Sequence, residues 1–321
     1  MANGGIIGPV QTVTSNVAVN RTTAFTSSGN FTAQSGTKEV DYLMVGGGGG
    51  GDNAQCRARG GGGGGGLITS FPGGTKTVVA PSGVLAVVIG AGGSSGAASN
   101  SAAGTHNVGG NTTFNCLTAG GGGKGNAASP LGSGGGGPSY GNGSGQSGGP
   151  QGNNGGNGNC NSNTPVPGSF TFVAGGGGGA GGAGGNGTNP GETVTSGAGG
   201  AVATNAISGS TVSYAGGGSG AAQAFPSNPK DVAIGAATPT SGLGQMFGGE
   251  AAGSGSANTG GGGGGGTSTN PTSPRIATGG AGGSGHVVIR EYVNTIRTAP
   301  GVWSINDVYD NVKAGDWTNS N

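Results

Sequence analysis

Charge, aromatic rings and long apolar runs are all scarce in this chain. Of its 321 residues, 7% are charged and 5% aromatic. The 11 basic and 10 acidic side chains leave a formal charge of +1, and nowhere do Lys and Arg cluster. Nucleic-acid binding draws on such clusters to displace counterions from phosphates, so nucleic acid is not an expected partner. Membrane insertion is not expected either. A basic amphipathic stretch is missing, and the longest apolar run, Val84–Ile89, is far too short to cross a bilayer. The opening Met1-Ala-Asn-Gly-Gly-Ile-Ile has neither the cationic start nor the apolar core of an export signal.

Residues that carry chemistry are equally sparse. Cys56, Cys116 and Cys160 are odd in number and lack metal-ligand spacing, so they read as small buried thiols and no metal or cofactor is expected. Matches to G-x-G-x-x-G are a by-product of abundant glycine, since no helix follows them. Gly123-Lys124-Gly125 lacks the Ser or Thr of a phosphate-binding loop, and Asp52 and Glu250 are isolated carboxylates. His286 heads a strand and reads as structural, whereas His106 lies in a polar loop suited to a binding contact. No catalytic residues are assigned, and the chain is not expected to be an enzyme.

What the sequence does contain is glycine, 88 residues of it, against a usual share of about 7%. A collagen period is excluded, because the runs Gly46–Gly51 and Gly60–Gly66 break strict recurrence at every third position. A flexible linker is the plain alternative. Against it stands the position of the runs, several of which follow strand-like segments. Lys38–Val45 leads into Gly46, Asn111–Ala119 into Gly120, Phe170–Ala174 into Gly175, and Thr211–Ala215 into Gly216. Thr75–Ala80, Gly83–Ile89 and Gly285–Tyr292 read as further strands, and Thr22–Ser27 with Asn30–Ala33 reads as a hairpin.

The expected fold class is therefore mainly β and irregular: a bundle of packed polyglycine II helices flanked by short β-strands, plus a short C-terminal helix. Without side chains, extended backbones approach closely enough to hydrogen-bond to one another, and three residues per turn aim the amides in three directions. Gly46, Gly63, Gly121, Gly177, Gly217 and Gly263 are the expected scaffold positions. The helix is read from Trp303, Ile305, Val308, Tyr309 and Val312, an apolar stripe behind a Ser304 cap. Three regions follow: an attachment segment over 1–19, the glycine-rich domain over 20–292, and a C-terminal segment over 293–321 that docks on an assembly partner.

Function is expected on the loops between glycine runs, since binding residues concentrate on loops held by a rigid scaffold. The insert Ser219–Ala257 supplies Phe225, Lys230, Met246 and Phe247, and His106 and Tyr140 come from two other loops. Phe225, Met246 and Phe247 read equally well as a small satellite core.

Three stretches carry a resemblance: Phe25-Thr-Ser-Ser-Gly-Asn-Phe-Thr32, Val40-Asp-Tyr-Leu-Met-Val-Gly-Gly-Gly48 and Gly282-Gly-Ser-Gly-His-Val-Val-Ile-Arg290. Together they resemble the glycine-rich phage proteins, and the alternation of glycine motifs with inserts is similar to that of T-even-like distal tail fibre adhesins, which use a polyglycine II sandwich. Gly5-Ile-Ile-Gly-Pro9 and Gly301-Val-Trp-Ser-Ile-Asn-Asp-Val-Tyr309 resemble the ends of marine phage virion proteins. The resemblance implies a phage virion structural protein, most simply a tail fibre or adhesin. It would sit on the particle surface as a homo-oligomer, with other virion proteins and a host cell-surface receptor, protein or glycan, as partners. A capsid or fibre decoration protein without receptor activity is the alternative. An ice-binding polyglycine bundle is the second alternative, disfavoured by the irregular spacing of the runs.

Overall fold

The computed structural model describes residues 20–52, 57–95, 107–161, 171–189, 193–224, 231–246, 251–267 and 278–292. Its largest apolar cluster lies at one end, between two facing sheets, with smaller clusters around Phe172 and around Val173 and Val194 elsewhere. The first sheet has the order β1 (Arg21–Phe25), β16 (His286–Glu291), β3 (Glu39–Val45), β4 (Leu67–Thr69), with β5 (Thr77–Val78) also on β3. The second runs β2 (Gly29–Thr32), β6 (Val84–Val88), β7 (Thr112–Phe114), β8 (Leu117–Ala119).

Strand alternation explains why they face each other. Val40 and Met44 of β3 and Val287 and Ile289 of β16 point one way, onto Phe31, Val87 and Phe114 of the second sheet. Phe31 and Phe114 meet edge to face, with ring centroids 5.8 Å apart. The alternate residues Leu43, Val45 and Val288 point the other way, onto Ile207, Tyr214 and Ala215. β3 is thus covered on both faces along Leu43–Val45, where its sequence is continuously apolar. Glu291, fully buried, accepts hydrogen bonds from the Gln34 amide, the Thr37 hydroxyl and Arg21 Nε. This carboxylate ties the last strand to Arg21, Gln34 and Thr37 near the start of the domain.

Smaller sheets lie elsewhere: β14 (Ala222–Ala224), β10 (Thr171–Val173), β9 (Asn159–Asn161) in one, β12 (Ala203–Asn205) with β13 (Val212–Tyr214) in another, and β11 (Thr193–Thr195) parallel to β15 (Asp231–Ala233).

The glycine runs extend from the strands and are joined laterally by backbone hydrogen bonds with a three-residue repeat. The amides of Gly46, Gly49 and Asp52 donate to the carbonyls of Gly66, Gly63 and Gly60 at 3.0, 2.8 and 3.1 Å. Those of Gly47 and Gly50 donate to Gly110 and Asn107, and those of Gly48 and Gly51 to Gly283 and Gly280. Run 60–66 sits deepest. Its own amides reach the 175–178, 260–263 and 120–123 runs, while its carbonyls accept from the runs around Gly46, Gly136 and Gly218. A rise of about 3.1 Å per residue gives this run a length of about 22 Å.

The expected fold class needs correction. The described residues are all-β: their regular elements are sixteen strands in small, mostly antiparallel sheets, and they include no helix. The short helix expected over Trp303, Ile305, Val308, Tyr309 and Val312 falls outside the described residues. An isolated stripe of about three turns specifies a helix only where a packed surface receives it, and the sequence names no such surface. Two strand readings are corrected as well. β1 and β2 are not a hairpin, because β1 pairs with β16 and β2 with β6. The long apolar β16 offers β1 a better partner, and Phe31 is then free to enter the core between the sheets. Asn111–Ala119 is not one strand but the hairpin β7–β8, turned at Asn115 with a φ of 54°.

Candidate functional site

The hydrogen-bond register fixes which loops share an end. Val45 leads from the sandwich into Gly46, and the run reaches its far end at Asp52. At that far level the Asp52 amide meets Gly60, the Gly266 amide meets Asp52, and the Gly51 amide meets Gly280. Gly50 meets Asn107, Gly61 meets Gly175, and the Ala221 amide meets Arg59. All of these residues lie at the end opposite Arg21 and Glu291, the domain's first and last strands.

The sequence-derived binding candidates distribute against this frame as follows. Tyr140 is 65% exposed, in the turn that follows Gly134–Gly137 at the far end. Met246 is 43% exposed there and bridges to Ala222. His106, Phe225, Lys230 and Phe247 lie outside the described residues. The described residues that bound their segments are nonetheless at the far end. Asn107 bonds Gly50 and Ser94, Ala222 bonds Gln245, and Gln245 bonds Gly265. Of the satellite core read from Phe225, Met246 and Phe247, only Met246 lies among the described residues; Leu243, on the same insert, is 49% exposed.

The expected scaffold glycines occupy backbone-to-backbone contacts. A Cβ built on Gly46 would strike the carbonyl of Gly120, on Gly63 that of Ser133, and on Gly121 that of Gly109. On Gly177 it would strike Gly62, on Gly217 Gly177, and on Gly263 Gly280. A neighbouring carbonyl belongs to another run and cannot swing aside as a side chain would.

One far-end cluster is fully described, and composition gave no hint of it. The Arg57 guanidinium carbon stands 4.0 Å above the centre of the Tyr140 ring and 5.2 Å from that of Phe172. Backbone bonds hold the cluster in place. The Ala58 carbonyl accepts from the Ser139 amide at 3.2 Å and its hydroxyl at 2.9 Å, clamping residue 58 to the Tyr140 turn. The Asn142 side chain accepts from the Cys160 amide at 2.7 Å, and Cys160 pairs with Phe172 across β9 and β10. Asn142 and Gly141 both take positive φ, 53° and 65°, which makes the turn tight. A sequence signal for Arg57 did exist: a cation in a short connection between two glycine runs, beside Arg59, whose carboxylate partner Asp52 is 3.4 Å away.

The other candidate groups are structural or isolated. Cys116 is exposed and Cys160 half-buried, both free thiols; the expectation of buried thiols is corrected for Cys116, which sits on the β7–β8 turn. Cys56 lies outside the described residues. Burial pushes the Cys160 thiol pKa up, and the Arg57 charge opposes it. His286 stacks on Tyr214 at 5.9 Å, and burial lowers its pKa below the usual 6.5. Among the described residues no group of His, Cys, Asp and Glu is placed to hold a metal ion.

These features define a class of protein first: a small β-sandwich from which hydrogen-bonded glycine runs project. The family follows from the sequence. A model described as a glycine-rich domain matches residues 23–292, and the chain belongs to that family. No curated protein matches the chain.

Proposed function

We propose that this chain is a virion structural protein of a phage, a tail fibre or adhesin that presents loops to a receptor on the host surface. The observation that carries this reading is the separation of the two ends. Arg21 and Glu291, from which the segments 1–19 and 293–321 continue, pair at the sandwich end. Tyr140, Met246 and the described boundaries of the segments bearing His106, Phe225, Lys230 and Phe247 are at the other. An attachment protein needs such polarity, with the particle at one end and the receptor at the other. Between them the stretch from Val40 to Asp52 extends about 40 Å along the chain.

Rigid spacing also suits adhesion. A receptor contact made by loops on a stiff scaffold loses less conformational entropy than one made by free loops. A partner that sheathes a virion without touching the host would have no use for loops gathered at one end, which weighs against the decoration reading. The test is adsorption. Purified full-length protein, added to candidate host cells, is expected to bind them and to block infection by the particle that carries it. Protein that neither binds nor blocks, in a preparation shown to be folded, removes the adhesin reading.

A further inference from the structure

We infer that Arg57 and Tyr140 form a binding subsite for a saccharide that carries a carboxylate. The inference rests on the receptor-binding reading for its biological setting, but its chemistry stands on this cluster. The Arg57 guanidinium carbon stands over two aromatic rings, Tyr140 and Phe172. Such contacts use its charge and leave its N–H donors unspent. Among the described residues no carboxylate pairs with it. Asp52 is taken by Arg59, Asp231 starts β15 and forms no ion pair with Arg57, and Glu291, Glu39 and Asp41 belong to the sandwich end.

Arg290 also stands over two rings, 5.6 Å from Phe71 and 5.2 Å from Tyr292; what sets Arg57 apart is its place at the far end, beside the exposed Tyr140. Its fork of parallel donors matches the two oxygens of a carboxylate, which a lysine ammonium cannot reproduce. Tyr140 supplies the second half of the subsite. One ring face lies against Arg57, and the residue remains 65% exposed. The negative face of an aromatic ring receives the weakly positive C–H bonds of a pyranose. Charge recognition and ring stacking, side by side on a rigid turn, are the requirements for an acidic sugar.

Preorganisation strengthens the case. The Ser139–Ala58 pair of hydrogen bonds, the Asn142–Cys160 bond and the left-handed turn at Gly141 and Asn142 hold both partners before any ligand arrives. Ligand binding then orders little that is not already ordered.

The test uses the full chain and two carboxylate-bearing probes, oligogalacturonate and sialyllactose, titrated calorimetrically. Their neutral counterparts are methyl-esterified oligogalacturonate and lactose. At least one acidic probe is expected to bind, and to lose tenfold or more in affinity when its carboxylate is removed. Arg57→Gln is expected to cause a similar loss, Arg57→Lys a smaller one, and Tyr140→Ala a weakening on acidic and neutral probes alike. Failure of both acidic probes to bind, or affinity unchanged in Arg57→Gln, overturns the inference. If Arg57→Gln does not fold, the comparison of acid with ester on the wild-type protein decides it alone. Protein that adsorbs to cells but ignores both acidic probes removes this inference and leaves the receptor reading. Protein that binds an acidic probe yet adsorbs to no candidate host does the reverse.

Discussion

The sandwich and the glycine runs of this domain are held together by opposite means. At the sandwich end Phe31, Phe114, Leu43, Met44 and Ile289 are fully buried, and each such side chain contributes about 1.5–3 kcal/mol by leaving water. Along the glycine runs there are no side chains to bury. Their only direct gain is the lateral amide bond, worth about 1 kcal/mol net, against a backbone ordering cost of about 1–2 kcal/mol that is largest for glycine. Taken singly, each glycine loses. The difference teaches that the sandwich must act as the nucleus: β3, β6, β8 and β16 deliver Gly46, Gly90, Gly120 and Gly285 at one level, already in register. From there each added layer closes several bonds at once, and stability grows by cooperation.

That contrast can be broken most directly inside the lattice. Gly63 belongs to the central run, and its added Cβ would strike the Ser133 carbonyl with Gly134 O only 2.8 Å away. Gly63→Val is expected to exceed the about 4–5 kcal/mol that marks exceptional point mutations, seen as loss of the cooperative thermal transition by calorimetry. A melting temperature within a few degrees of wild type would show that the runs give way easily. A lesion of the opposite kind, a cavity at the sandwich end, is expected to be milder. Phe31→Ala should cost about 3–5 kcal/mol, because surrounding side chains can relax toward the cavity. If Phe31→Ala proves worse than Gly63→Val, the glycine runs are passengers on the sandwich.

Much of this arrangement is legible in the sequence. β3, β10, β13 and β16 stand where strand-like segments are read, glycine runs follow the first three, and a glycine-rich stretch leads into β16. The pairing of strands was not legible. The turn at Ser28-Gly29 suggested a hairpin, but a turn signal records a change of direction and not the partner, and β1 found β16 some 270 residues away. Glu291 illustrates the same blindness. Nothing local in His286–Glu291 marks its last residue as buried. The candidate site was half legible for a related reason. Loops between runs could be named, and Tyr140 among them, but the closeness of Arg57 to it depends on which runs are neighbours, and glycine carries no side chain to encode that choice.

Glu291 offers the next comparison, at the seam between domain and flanking segments. Glu291→Ala leaves the Gln34 amide and Thr37 hydroxyl without their acceptor, and should cost about 3 kcal/mol. Arg21→Ala removes the 43% exposed partner but leaves the buried carboxylate its two neutral donors, and should cost less, about 1–2 kcal/mol. Denaturant midpoints for the two variants test whether the buried acceptor or the ion pair closes the domain. Equal losses would assign the effect to the ion pair.

The smallest effect is one of pH, and it belongs to the sandwich end alone. Burial against Tyr214 lowers the His286 pKa from 6.5, so the unfolded chain takes up its proton before the folded one does. Stability contributed here is complete above about pH 6.5 and declines as the pH falls toward the folded-state value. His286→Phe keeps the stacked ring and removes the titration, so its melting temperature is expected to vary less than wild type between pH 7 and pH 5. The lattice amides do not titrate in that range. A pH dependence that survives His286→Phe unchanged would place its origin in other groups and withdraw the histidine from the account.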